Sequence, residues 1–285
     1  MTTPIEQRIT LSQHLTLTAQ IWGHADAPPL LALHGWLDNA GSYAFLAPLL
    51  ATRWRVIALE LPGHGHSSHL PAGINYHYVD YVSAVLAAAD ALQLERYDLL
   101  GHSLGAGIAS LVAAAKPQSI ERLYLIEGLG PLGDDGSHTL QRFRDAFAAA
   151  SAPGKALRVF HDVEQAVSAS VHASGLRADL ARPIVERGLA DVDGGYRWRS
   201  DPRLTRPSAA RLAESQAHAL LAGIEAPTAL LLSKPATPYL PSTMMAQRAS
   251  LLARIDITLM DGGHHLHLEH PQAVADWLFA HRAKT

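Results

Sequence analysis

The five residues Gly101-His102-Ser103-Leu104-Gly105 constrain the fold more than any other stretch, because they set a serine between small residues directly after the apolar run Tyr97-Asp98-Leu99-Leu100. A strand must turn sharply into a helix there, and only glycine lets neighbouring segments of chain approach that closely. The small residues continue as Ala106 and Gly107, and an Ala-rich helical stretch runs on to Ala115. A serine at the apex of such a turn sits on strained backbone. A pentapeptide of this kind also arises by chance in Gly-rich chains, so its weight comes from the strand before it, the helix after it and partners elsewhere in the chain.

Around that turn the chain alternates short apolar strands with longer helical segments. Residues 5–11 and 14–22 alternate apolar and polar positions and predict an antiparallel hairpin. Leu30-Leu31-Ala32-Leu33, Arg55 to Leu59, Ile120 to Ile126, Thr228 to Leu232 and Ile255 to Met260 read as further strands. Helical spacing runs from Tyr76 to Leu94, again between the last two strands, and from Pro271 to His281. This alternation predicts an α/β fold: a mostly parallel twisted sheet with helices on both faces, whose ligands bind beyond the carboxyl ends of the strands. Residues 131–223 break the rhythm. They are polar and helical, with apolar-spaced pieces near 138–150, 155–160, 162–174 and 178–190, followed by Gly194-Gly195-Tyr196-Arg197-Trp198-Arg199-Ser200-Asp201-Pro202. We read 131–223 as an inserted helical cap, and 1–130 with 224–285 as the core it covers. A cap over strand ends would exclude water and shape substrate entry.

At 285 residues and 48% hydrophobic content, the chain has enough material for one large core with an inserted subdomain. Its 23 basic and 26 acidic residues leave a net charge of -3 with no basic run, which gives no footprint for nucleic acid or an anionic membrane surface. The absence of cysteine excludes a disulfide framework, a thiol nucleophile and cysteine-ligated metal sites. The first residues lack the basic-then-apolar pattern of a leader and no stretch is long enough to span a membrane, so a cytoplasmic protein, monomer or homodimer, is the expectation.

A serine hydroxyl needs a base within hydrogen-bond reach, and histidine is the expected one. Seventeen histidines compete for the role. Context selects His264, which follows Gly262-Gly263 in the loop between the last strand and the last helix; most of the others read as surface or capping residues. The pairs His64/His66 and His264/His265/His267 superficially resemble metal-ligand spacing, but the loops explain them better, and no metal or cofactor is assigned. Gly101, Gly105 and Gly107 lack the spacing of a dinucleotide fingerprint and the lysine of a P-loop.

With His34-Gly35-Trp36-Leu37-Asp38-Asn39, Leu61-Pro62-Gly63-His64-Gly65-His66-Ser67, the serine turn and the His264 loop in this order, the chain resembles the α/β-hydrolases, and among them the serine hydrolase-like proteins. The resemblance spans nearly everything outside 131–223. It implies Ser103 as nucleophile, His264 as general base and then acid, and backbone N–H groups of Trp36 and Leu104 as the oxyanion hole. His34, His102 and Trp36 border the expected substrate site, the two imidazoles reading mainly as braces for their loops. Most relatives carry the triad acid on the loop after the next-to-last strand, yet Leu230-Leu231-Leu232-Ser233-Lys234-Pro235-Ala236-Thr237-Pro238 holds no carboxylate. Some relatives take the acid from the end of the strand after the serine helix, which here is Glu127. Asp256 and Asp261 are nearer to His264 in sequence but are placed awkwardly for reaching its ring.

The resemblance implies hydrolysis of a small to medium hydrophobic ester through an acyl-enzyme, since a serine nucleophile disfavours the aspartate chemistry of haloalkane and epoxide opening. Trp36, Phe143, Phe147, Phe160, Tyr196 and Trp198 are the apolar lining candidates. Arg197 and Arg199 could instead meet a substrate carboxylate, which would favour a carbon–carbon bond hydrolase or a thioesterase. A protein that keeps the fold only as a small-molecule binding module is the alternative outside enzymology.

Overall fold

The computed structural model describes residues 3–151 and 158–283. In chain order the elements are β1 (Ile5–Ser12), β2 (Leu15–Trp22), β3 (Pro29–Leu33), α1 (Ala47–Leu50), β4 (Arg55–Leu59), α2 (Tyr78–Ala91), β5 (Tyr97–His102), α3 (Leu104–Ala115) and β6 (Ile120–Ile126). Then come α4 (Thr139–Ser151), α5 (Val163–Ser174), α6 (Ala178–Gly188), β7 (Leu189–Val192), β8 (Gly195–Trp198) and α7 (Glu214–Leu221). The chain closes with β9 (Thr228–Lys234), α8 (Ser242–Ala249), β10 (Ile255–Asp261), α9 (Leu266–Glu269) and α10 (Pro271–Arg282).

Eight strands form one sheet in the order β1-β2-β4-β3-β5-β6-β9-β10. The pairings β1 with β2 and β2 with β4 are antiparallel, and every other pairing is parallel. The period-two rule of a strand explains why helices must cover both faces. Leu31, Leu33, Ile57, Leu59, Leu99, Leu123 and Leu125 point into one buried layer with Tyr81 and Val85 of α2 and Ala109 and Val112 of α3. Their neighbours Leu30, Ala32, Val56, Ala58, Leu100, Tyr124 and Ile126 point into the other, against Leu50 of α1 and Val274 and Trp277 of α10. From β3 the chain steps outward to β4 and returns past β3 to β5, so the loops leaving β3 and β5 part company at the carboxyl edge. Ser103 lies at the end of β5, at that divergence, which is where open α/β sheets bind their ligands.

The 101 residues between β6 and β9 (127–227), about a third of the chain, carry α4 to α7 and have a small core of their own. Phe160, Val167, Leu180, Ala181, Ile184 and Val185 are buried there, with Tyr196 and Trp198 packed against them. Three of the expected helical pieces coincide with α4, α5 and α6. The piece near 155–160 falls partly outside the described residues, and Phe160 itself forms an antiparallel bridge to Tyr196 rather than a helical turn. The stretch after α6 is a β-hairpin, with Leu189 opposite Trp198 and Val192 opposite Gly195, so the expected helical piece at 178–190 ends two residues early. Among the described residues no helix is long and apolar enough to cross a membrane.

Candidate active site

The turn between β5 and α3 is as tight as its glycines imply. A Cβ on Gly101 would lie 2.4 Å from the Gly105 carbonyl oxygen, and one on Gly105 would lie 2.1 Å from that of Leu33. Between them Ser103 has φ 52° and ψ -114°, a conformation that non-glycine residues rarely adopt and that costs about 1–3 kcal/mol. Neighbours hold it there: its N–H donates to the Ile126 carbonyl at 3.0 Å, and its carbonyl accepts from Gly107 N–H at 3.1 Å.

Glu127 directly follows β6, and its φ of 53° is also left-handed. Its N–H donates to the Leu231 carbonyl of β9 at 2.9 Å. The carboxylate is buried and fully engaged. Oε1 accepts from Ser233 N–H at 2.5 Å, and Oε2 accepts from the Thr237 hydroxyl at 2.5 Å and from His264 Nδ1 at 3.0 Å. Burial alone would push this carboxyl up, but the hydrogen bonds from His264, Thr237 and Ser233 outweigh it and hold the group below its ordinary range. The loop that lacks a carboxylate thus donates two hydrogen bonds to the one supplied by β6.

His264 keeps 19% of its side chain exposed while its Nδ1 faces Glu127. Glycine geometry sets the loop: Gly262 (φ 149°) donates to the Lys234 carbonyl, and Gly263 N–H donates to Glu269. With Nδ1 donating to a carboxylate, Nε2 is left as the basic nitrogen. The structure therefore brings Glu127 and His264 into direct contact, and Tyr239 spans from His264 to Ser103. The Tyr239 ring meets the imidazole edge-on, with centroids 5.4 Å apart, and its hydroxyl lies beside the Ser103 side chain.

The imidazoles of His34 and His102 are closed off from any substrate, which corrects their placement as substrate-binding groups. His34 is fully buried, with Nδ1 bonded to the Gly35 carbonyl at 2.8 Å and Nε2 accepting from Leu61 N–H at 3.1 Å. Burial pushes its pKa down to about 4, so it is a neutral tie between two loops. His102 Nε2 donates to the His264 carbonyl at 2.9 Å, fixing the height of the His264 loop, and burial holds this ring well below the usual histidine range. It lies among His264, His265 and His267, with ring centroids 4.3–5.1 Å away. His267 in turn bonds Ser42, whose hydroxyl donates to Asp38 at 3.1 Å. This buried histidine layer was not foreseen from sequence, where the cluster read as loop decoration. Among the described residues, no group of three or more His, Asp or Glu side chains is arranged to hold a metal ion.

Trp36 remains half exposed at the edge of the site, with its indole N–H donating to the Leu204 carbonyl at 3.2 Å. Phe143 and Phe147 are also exposed and pack on each other at 4.7 Å. Phe160, Tyr196 and Trp198 belong instead to the core of the inserted segment, which removes them from the lining candidates. Arg199 is a structural clamp, donating to the Leu189 carbonyl at 2.7 Å, and Arg197 faces solvent.

One strut ties the inserted segment to the site and has no local sequence signal. Glu60, fully buried after β4, accepts from Arg187 of α6 at 2.6 and 3.1 Å, from Ala40 N–H at 3.1 Å and from His66 N–H at 2.7 Å. One carboxylate thereby holds the loop after β3, the loop after β4 and α6 together.

Residues 28–271 match the model of the alpha/beta hydrolase fold family. A serine hydrolase-like protein of Dictyostelium discoideum is 30% identical over 283 residues, covering 94% of this chain and 79% of the relative. A serine hydrolase-like protein of Danio rerio is 30% identical over 272 residues, covering 91% of this chain and 82% of the relative. Among solved structures, a hypothetical protein from Pseudomonas aeruginosa PAO1 superposes with a TM-score of 0.91 at 39% identity, over 99% of this chain and all of that one. The thioesterase domain from the curacin biosynthetic pathway superposes with a TM-score of 0.84 at 26% identity, over 98% of this chain and 100% of that domain.

Proposed function

This chain belongs to the α/β-hydrolase family, and from its site we propose that it is a serine hydrolase of carboxylic esters, with Ser103 as nucleophile, His264 as base and acid, and Glu127 as the orienting carboxylate. The observation that carries the proposal is the contact of Glu127 with His264 Nδ1 at the same strand edge as the strained Ser103.

In the first half-reaction Ser103 Oγ bonds to the ester carbonyl carbon and passes its proton to His264 Nε2. Charge develops on the carbonyl oxygen, where the N–H groups of Trp36 and Leu104 receive it. Leu104 opens α3, so its N–H stands outside the helix's own hydrogen-bond ladder and adds the positive end of the helix dipole. Collapse breaks the bond to the alkoxy oxygen, which takes the proton from His264 and leaves as an alcohol. Water then repeats the sequence on the acyl-enzyme and releases the acid. Glu127 keeps its proton off throughout and stabilises the imidazolium.

The segment 131–223 serves in this reading as a cap, and the exposed face of Trp36 with Phe143 and Phe147 favours a small to medium apolar group on the substrate. A second reading, a thioesterase on the same three residues, is favoured by the likeness to the curacin thioesterase domain. Paired oxygen esters and thioesters of one acyl group, run over increasing chain length, separate the two. We expect a burst of one alcohol per enzyme and a kcat/KM that peaks at medium chain length for the oxygen esters. A preference for the thioesters of ten-fold or more would transfer the assignment to the second reading.

A further inference from the structure

The loop from Ser233 to Leu240 has lost the acid of its usual role, and it carries a phenol that the three-residue mechanism leaves unused. Ser233 and Thr237 engage Glu127. Leu240 N–H closes a turn onto the Thr237 carbonyl at 2.9 Å, and Leu240 itself is buried, so the two residues between them, Pro238 and Tyr239, are projected outward from an anchored loop. The chemistry lies with Tyr239. It is 51% exposed, yet its hydroxyl contacts the Ser103 side chain and its ring edge lies on His264. A half-exposed tyrosine touching both the nucleophile and the base stands on the side from which substrate arrives.

Resting on the hydrolase reading above, we propose that Tyr239 is a further catalytic residue, whose hydroxyl donates a hydrogen bond to the departing alkoxy oxygen. The leaving oxygen must lie beside the imidazole that protonates it, and Tyr239 borders that imidazole and Ser103 together. When Ser103 Oγ bonds to the carbonyl carbon, the contact between the two hydroxyls is given up, and the phenol O–H is free to turn to the alkoxy oxygen. As the carbon–oxygen bond breaks, the electron pair moves onto that oxygen, and its proton comes from His264. Tyr239 keeps its own proton and acts as a donor only, in keeping with the burial and the nearby Glu127 that hold its pKa above the ordinary phenol value. A hydrogen bond to a developing alkoxide matters in proportion to the charge that oxygen must bear.

The test is Tyr239→Phe, assayed on two esters of the same acid: an ethyl ester, whose leaving group is poor, and a p-nitrophenyl ester, whose leaving group needs little help. The rate of inactivation by a fluorophosphonate, which expels fluoride, is measured in parallel. We expect kcat/KM for the ethyl ester to fall on the order of 10–100-fold, the range of one charge-assisted hydrogen bond, with the p-nitrophenyl ester and the labelling rate changing less than about three-fold. An equal fall for both esters and for labelling would overturn the proposal by showing that Tyr239 only positions Ser103. No change for either ester would overturn it as well. Wild-type protein that neither labels nor turns over would fail the hydrolase reading itself, an outcome that Tyr239→Phe cannot imitate. Retention of the wild-type melting temperature in the variant separates all of these from a folding defect.

Discussion

At the carboxyl edge of the sheet three non-glycine residues hold left-handed backbone, Leu37 at φ 62°, Ser103 at φ 52° and Glu127 at φ 53°, whereas among the described residues of 131–223 positive φ falls only on glycines. The difference follows from what holds each region. Around Ser103 and Glu127 the neighbours are parallel strands packed on both faces, and backbone N–H groups from Ser103, Glu127 and Ser233 are all committed, so the strained conformations are over-determined. The inserted segment relaxes its own backbone and is tied to the rest largely through side chains, among them Arg187 on Glu60, Arg203 on the Leu70, Pro71 and Ile74 carbonyls and Glu214 on Arg248. The strand edge therefore stores the geometry of the reaction, and the insertion depends mainly on side-chain hydrogen bonds and ion pairs for its seat. Substitutions should separate the two regions: those at the edge should cost activity with little stability, and those at the strut the reverse.

The largest effects belong to the edge. Ser103→Ala and His264→Ala should each reduce kcat by at least about 10⁴-fold, and the double variant should fall little further, because the residues act as a unit. Parallel ester assays and thermal melts would check this; independent, multiplicative losses would break the account. Glu127→Gln keeps shape and removes charge, so kcat should fall roughly 10²–10⁴-fold with the fold intact. Stability has a definite sign here. The folded-state pKa of Glu127 lies below the ordinary carboxylate value, so its contribution is present above that value and is lost as pH falls through the folded pKa. Wild type and Glu127→Gln should accordingly converge in stability under acid, and denaturant melts at neutral and acidic pH would show it.

The strut should respond in the opposite way. Arg187→Met leaves Glu60 buried without its cation, which should cost about 3–5 kcal/mol, or roughly 6–15 °C in melting temperature. Arg187→Met combined with Glu60→Gln should recover part of that loss, and the acyl-enzyme should still form once protein is folded. A loss of labelling without loss of stability would erase the distinction between the two regions.

The smallest effect concerns the buried imidazoles. Burial pushes the pKa of His34 to about 4 and that of His64 to about 3, both below their unfolded value of 6.5. The unfolded chain then binds more protons than the fold between those values, so stability is full above pH 6.5 and declines as pH falls below it. His64→Gln should flatten that decline by about 1–2 kcal/mol between pH 7.5 and 5, as read from denaturant melts at both pH values.

How much of this is legible in the sequence follows the same divide. The strands β3 to β6, β9 and β10 stand out because a strand buried on both faces is a short, unbroken apolar run. Gly101, Gly105 and Gly262-Gly263 mark Ser103 and His264 because tight turns leave few alternatives. The meeting of Glu127 with His264 is foreshadowed by the carboxylate missing from 233–238. The β7–β8 hairpin had a signal, Gly194-Gly195 between apolar residues, that the surrounding charged residues obscured. Arg187 and Glu60 are 127 positions apart, and Tyr239 and Ser103 are joined only by the folded loop. Such pairs depend on long-range packing, which no local pattern encodes.

The most direct test is intact-mass analysis with peptide mapping after fluorophosphonate treatment of wild type, Ser103→Ala and Glu127→Gln. One adduct per chain is expected on Ser103 in wild type, none in Ser103→Ala and slowed formation in Glu127→Gln. An adduct that persists in Ser103→Ala, or wild-type protein that stays unmodified, would contradict Ser103 as the nucleophile.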